Sequence, residues 1–164
     1  MAPTDFLYLL FLTLHNLVRW VVIAGAVYAL GRAFSGWLGK KDWTQADERA
    51  GRWYITAFDV QILLGLILYF FFSQAGAITL QNLGAAMADP NNLFFGVIHW
   101  LVIALAAGFA HVGRALARRQ ADAAARHMRL ALFFSASIVL TLLAIPWEGL
   151  PYGRPLIRLF GIHF

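Results

Sequence analysis

Histidines that interrupt long apolar runs are the residues of this sequence best suited to chemistry. His15 lies nine residues after Phe6, where the first apolar run begins, and His99 lies six residues after Leu93, where the third begins. At a helical rise of about 1.5 Å per residue, both imidazoles are expected roughly 9 to 14 Å below the same membrane surface. Two neutral imidazoles that face each other at one depth supply the axial nitrogens that a bis-histidine haem b requires. The pair therefore predicts a haem site between these two runs.

A second pair of histidines lies towards the other ends of the apolar runs. His111 is near the end of the third run and His127 is at the start of the fourth. The same depth count predicts a second pair of metal ligands, and so a chain with one or two haems. Histidine costs little at a hydrated, basic edge, and the alternative for this pair is a position in the membrane interface. For His15 and His99 the alternative is a hydrogen-bonded structural role between helices.

Three further polar residues lie within apolar runs, where each is a functional candidate because a polar group facing lipid is costly: Arg19, Asp59 and Gln61. Arg19 lies one helical turn beyond His15 at about the depth of Asp59, which predicts an ion pair between Arg19 and Asp59. In the alternative, Arg19 binds a haem propionate and Asp59 relays protons. Gln61 shares a helix face with Gly65, and this face is interpreted either as helix packing or as a quinone site.

Helices that cross a membrane are needed to position these side chains. The chain has 164 residues, of which 61% are hydrophobic and 13% charged, and its mean hydropathy is +0.68. These values lie outside the usual range for soluble domains. We predict an all-α integral membrane four-helix bundle, a single transmembrane domain over residues 1–164 with an interfacial tail over residues 147–164. The predicted spans cover about residues 6–32, 53–72, 93–115 and 128–146.

Lysine and arginine are distributed unevenly among the loops. They are frequent between the first and second spans and between the third and fourth, and absent from residues 73–92. Because short basic loops stay in the cytoplasm, both termini are predicted to lie outside, with the tail in the outer interface or covering the bundle. The basic residues lie beside apolar spans, so they indicate topology and not nucleic-acid binding. The chain has no cysteine, which excludes disulfides, thiolate metal sites and iron–sulfur clusters.

An ordered set of short motifs carries a family resemblance. The motifs are His15-Asn16-Leu17-Val18-Arg19-Trp20, Gln61 to Tyr69, His99, His111-Val112-Gly113-Arg114 and Ile145-Pro146-Trp147. From Leu14 to Trp147 the chain resembles the short four-span bacterial membrane proteins of the cytochrome b-like family. The resemblance implies a b-type electron carrier in the bacterial inner membrane, with His15, His99, His111 and His127 as candidate ligands. Ile98 stands where relatives are expected to have an acidic residue directly before the histidine.

The expected function is membrane electron transfer through haem b. Electrons are expected to pass between a quinol and a partner redox complex, so the chain is a carrier subunit and not a stand-alone enzyme. The expected partners are the lipid bilayer, a quinone and other membrane subunits, and nucleic acid is not among them. No nucleophile constellation, phosphate loop or carboxylate pair favours hydrolysis. The alternative is a non-catalytic structural or assembly subunit of a respiratory or photosynthetic membrane complex.

Overall fold

Helices account for most of the chain in the computed structural model, which describes residues 3–163. The elements are α1 (Pro3–Leu38), α2 (Gln45–Ile67), α3 (Gln74–Gln81), α4 (Leu83–Ala88), α5 (Pro90–Leu93), α6 (His99–Arg118), α7 (Ala123–Leu143), β1 (Arg158–Leu159) and β2 (Ile162–His163). Two π-helical segments, Leu68–Phe72 and Phe94–Ile98, continue α2 and lead into α6. The two strands pair as an antiparallel hairpin.

Four of the helical stretches are long and apolar enough to cross a membrane: Thr4–Leu38, Gln45–Phe72, Pro90–Arg118 and Ala123–Leu143. The prediction of an all-α four-helix membrane bundle is confirmed, and the chain is a multi-pass membrane protein. Several helices run past the apolar spans into the surface regions. Helix α2 begins eight residues before the predicted span because Thr44 and Asp47 form a capping box at its start. Helix α7 ends at Leu143, shortly before Pro146, which cannot continue a helix.

The packing of the long helices brings α1 and α6 to opposite corners of the bundle. Helix α1 packs against α2 and α7, and α6 packs against α7 and, over a smaller area, against α2. Alanines at the contacts are buried and let the helices approach closely: Ala26, Ala29, Ala33, Ala106, Ala107 and Ala110. In the core, the hydroxyls of Tyr54 and Ser137 lie 2.6 Å apart, and Ser137 also donates to the carbonyl oxygen of Ala106. Side chains on α1 and α6 can therefore meet only across the centre of the bundle.

The chain after α7 folds back over one end of the bundle. Tyr152 stacks on Phe94, with ring centroids 3.7 Å apart, and Arg154 donates a hydrogen bond to Asn91. The backbone N–H of Phe160 donates to the hydroxyl of Thr13 on α1 at 3.0 Å. The tail therefore covers this end of the bundle, as one form of the prediction has it, and its place in the outer interface stays a prediction.

The absence of a side chain at Gly36 allows α1 to approach α7. A Cβ atom there would overlap the ring of His127, whereas a Cβ at Gly31, on the same helix, would have no atom within 4 Å. We expect Gly36→Ala to destabilise the protein by about 1–3 kcal/mol, since an overpacked contact forces side chains or backbone to shift. Gly31→Ala is the matched control, expected to be neutral or stabilising because alanine favours a helix. Melting curves in detergent test this, and equal midpoints for the two variants would contradict it.

Candidate functional site

His15 and His99 meet across the centre of the bundle. His15 is on α1 and His99 is the first residue of α6, and their ring centroids lie 6.4 Å apart with the ring planes inclined by 63°. The depth count from the sequence therefore correctly brings these two side chains together. The aromatic rings of Phe94 and Phe95 flank His99, with centroids at 5.7 and 6.2 Å.

The two imidazoles are close enough for one bound group to contact both. A zinc–imidazole bond is about 2.0–2.1 Å long and the ring centre lies roughly 1 Å behind the nitrogen, so two rings on opposite sides of a metal would have centroids roughly 6 Å apart. The observed centroid separation is 6.4 Å, with Nε2 of His15 next to Gln61 and Nδ1 of His99 next to Ala144. Within residues 3–163 no group of three or more histidine or acidic side chains could hold a metal ion. The pair itself supplies two imidazole side chains.

The end of α7 selects the tautomer of the His99 imidazole. Its Nδ1 lies 2.8 Å from the carbonyl oxygen of Ala144, the residue that caps α7. This carbonyl is available because the helix stops before Pro146 and leaves its last carbonyls without intrahelical partners. A carbonyl only accepts, so Nδ1 of His99 carries a proton, and in the neutral imidazole the lone pair is then on Nε2. A histidine that ligates a metal is oriented in this way by its other nitrogen.

His15 rests on the face of α2 that carries Gln61 and Gly65. The amide nitrogen of Gln61 lies 3.2 Å from Nε2 of His15. A Cβ atom at position 65 would come within 3.2 Å of His15 Cε1, so glycine gives the ring its room. His15 Nδ1 and the amide oxygen of Gln61 are buried without a hydrogen-bond partner. Buried polar atoms of this kind call for an explanation, and a bound group is one.

Arg19 is bound to the folded-back tail. Its guanidinium donates to the side-chain oxygen of Asn16 at 3.0 Å and to the carbonyl oxygen of Leu156. Asp59 is instead hydrogen-bonded to His111, Oδ1 to Nε2, at 2.8 Å. The predicted ion pair between Arg19 and Asp59 is therefore wrong. Arg19 and Asp59 lie at similar depths, so depth allowed the pair. Depth does not reveal that the tail supplies a hydrogen-bond partner for Arg19.

His111 and His127 have separate environments. His111, bonded to Asp59, is about half exposed. His127 is 1% exposed, packs against Trp43 with ring centroids 4.9 Å apart, and has no partner for either ring nitrogen. Beside it lies a cavity of about 590 Å³ whose lining includes Arg32 and Lys41. The imidazoles of His111 and His127 therefore do not face each other, in contrast to those of His15 and His99.

Three groups at the site were missed from the sequence: the side chain of Asn16 and the backbone carbonyls of Ala144 and Leu156. Asn16 stands three residues before Arg19, a spacing at which helical side chains meet, so its contact could have been anticipated. Pro146 marks the end of α7 and so indicates free carbonyls near Ala144. Leu156 gives no such signal, because only the fold of the tail brings it to Arg19.

Comparisons with family models, curated proteins and solved structures find no match to this chain. The case for its function therefore depends on the site itself.

Proposed function

We propose that this chain is a b-type haem electron-transfer protein of the bacterial inner membrane, with haem held between His15 and His99. The observation that carries the proposal is the pair of imidazoles with centroids 6.4 Å apart on opposite helices, one of them with its Nδ1 proton committed to Ala144. The pair would hold such a group through two imidazole nitrogens without further protein ligands, which suits a metal bound in a macrocycle.

The residues around the pair fit such a group. His99 would offer its Nε2, and His15 would offer its Nδ1, which has no hydrogen-bond partner while Gln61 contacts the Nε2 of the same ring. We assign Gln61 to the positioning of His15, which supports a role at the metal site more than a quinone site of its own. Arg19 supplies a positive charge one turn from His15, and its Nε is buried without a partner, so it can pair with a propionate. Haem, when bound, supplies the one-electron chemistry.

Electron exchange with a quinol or with another membrane subunit completes the proposal. The site lies within the bundle, beneath the tail and the Phe94–Ile98 segment, so small water-soluble reactants have little access to it. A lipid-soluble quinol or a bound subunit reaches such a site from the membrane.

A spectrum of the purified protein tests the proposed function. We expect b-type bands in the reduced-minus-oxidised difference, and we expect the same bands to develop when a short-chain quinol is added to the oxidised protein in membranes. Bands that develop with dithionite but not with quinol would restrict the electron donor to a partner subunit. A colourless protein that assembles normally would instead favour a structural subunit.

A further inference from the structure

The cavity of about 590 Å³ lies between the end of α1, the start of α2 and His127 of α7. This end of the bundle is the predicted cytoplasmic side, because the loops that join these helices are the basic ones. Gly36, whose backbone contacts His127, lies 21 residues beyond His15 on the same helix, roughly 30 Å along its axis. A group bound in this cavity is therefore separate from the proposed haem.

The lining of the cavity changes from apolar to polar towards the predicted cytoplasmic side. Val27 and Tyr28 belong to the apolar run of α1 and are exposed. Beyond them the lining consists mainly of polar and charged side chains: Arg32, Ser35, Lys41, Asp42, Thr44 and Asp47. The volume is typical of small-molecule sites. A molecule with a polar head at the membrane surface and an apolar tail along α1 matches this arrangement.

The wall that α7 contributes is an imidazole without partners. His127 is 1% exposed, and neither of its ring nitrogens has a hydrogen-bond partner among the described residues. An imidazole always has at least one N–H group to donate, and a buried donor left without an acceptor is costly. Because the ring lines the cavity, a bound group that accepts a hydrogen bond there would satisfy it.

Two charged side chains at the cavity lack an oppositely charged partner. Arg32 is paired with Asp47 at 2.7 Å. In the part of the chain that the structure describes, Lys41 and Asp42 form no such pair. The Nζ of Lys41 donates to Ser35 Oγ at 2.7 Å, which leaves two of its three N–H groups for another acceptor. One cation and one anion are thus free, and together they complement a zwitterion.

We propose that this cavity binds a phospholipid whose headgroup carries an amine as well as a phosphate. The phosphate accepts hydrogen bonds from Lys41 and His127, and the amine pairs with Asp42. The acyl chains leave the cavity along Val27 and Tyr28. Phosphate oxygens accept strong, charge-assisted hydrogen bonds, which a lysine ammonium supplies. A free phosphate ion has the same chemistry, but its five heavy atoms would leave most of the volume empty.

Native mass spectrometry of the chain, purified and delipidated in detergent, tests the ligand. The protein is titrated separately with phosphatidylethanolamine, with diacylglycerol of the same acyl chains and with inorganic phosphate. We expect one molecule of phosphatidylethanolamine to bind, and neither of the other two. Equal binding of diacylglycerol would overturn the recognition of phosphate. Inorganic phosphate that binds and excludes the lipid would overturn the lipid as its source. Phosphatidylglycerol lacks the amine and should bind more weakly, so equal affinity for it would contradict the pairing with Asp42.

Lysine variants test whether the lipid lies in this cavity. Lys40 and Lys41 are adjacent and both exposed, but only Lys41 lines the cavity, so Lys40→Gln is the matched control for Lys41→Gln. We expect Lys41→Gln to weaken phosphatidylethanolamine binding at least about tenfold, because it removes a charge-assisted hydrogen bond, and Lys40→Gln to leave it unchanged. Equal affinities of the two variants would overturn the proposed place of the phosphate. His127→Asn should also weaken binding, and if it does not assemble, the lysine variants decide.

Discussion

Replacing His99 with alanine is expected to abolish the low-spin b-type spectrum of the purified protein. The substitution removes one of two axial nitrogens, so the haem should become high-spin or be lost. His15→Ala should have the same effect, because the two imidazoles are neighbours in the bundle, with centroids 6.4 Å apart. Optical spectra and haem content per protein measure both changes. A low-spin spectrum retained in either variant would exclude that residue as a ligand.

Imidazole added to His99→Gly provides the control that separates ligation from folding. A free imidazole can occupy the space left by the side chain and bind the metal, so the low-spin spectrum should return. A residue with only a structural role would show no such rescue. His111→Ala and His127→Ala test the number of haems. Because these two side chains lie in separate environments, we expect both variants to keep the full haem content, and a loss of about half would indicate a second haem.

A cysteine at Gln81 is expected to react with a membrane-impermeant thiol reagent added to intact cells, and a cysteine at Gln45 is not. The reason is the basic composition of the loop that contains Gln45 and the absence of lysine and arginine from residues 73–92. Both positions are exposed and lie at helix ends, so they form a matched pair. The labelled fraction, measured by a mass shift on gels, should be near-complete for the cysteine at Gln81 and at background for the cysteine at Gln45.

Permeabilised cells serve as the control for this labelling, since both cysteines should then react. Gly153 is a poor reporter for the outer side, because a side chain there would meet the backbone of Trp147 and Leu150. If the cysteine at Gln45 but not the one at Gln81 were labelled in intact cells, the topology would be the reverse of the predicted one. The site of His15 and His99 would then lie towards the cytoplasm.

The four membrane helices could be predicted from the sequence because length and apolar composition alone determine them. The meeting of His15 and His99 was also predictable, since it needs only a common depth on two helices. The ends of the helices were harder to predict. Capping at Thr44 begins α2 well before its apolar part. The span that contains His99 is lengthened before this residue by α5 and a π-helical segment.

Depth does not determine which way a side chain points around its helix. His111 follows His99 by twelve residues, about three and a third turns, so it points roughly a third of a turn away from the bundle centre that His99 faces. It therefore meets Asp59 on the outer groove. Arg19 shows a second limit of prediction from the sequence, because it donates to the backbone carbonyl of Leu156, 137 residues further along the chain.

The ratio of haem to protein in the purified wild-type chain tests the central claim most directly. A pyridine haemochrome assay on protein from haem-replete cells should give haem b at one equivalent or more per chain. The double variant of His15→Ala with His99→Ala, purified in the same way, should lose the equivalent bound at this pair. A wild-type protein without haem, together with normal assembly of the double variant, would contradict the electron-carrier proposal and leave a structural subunit in its place.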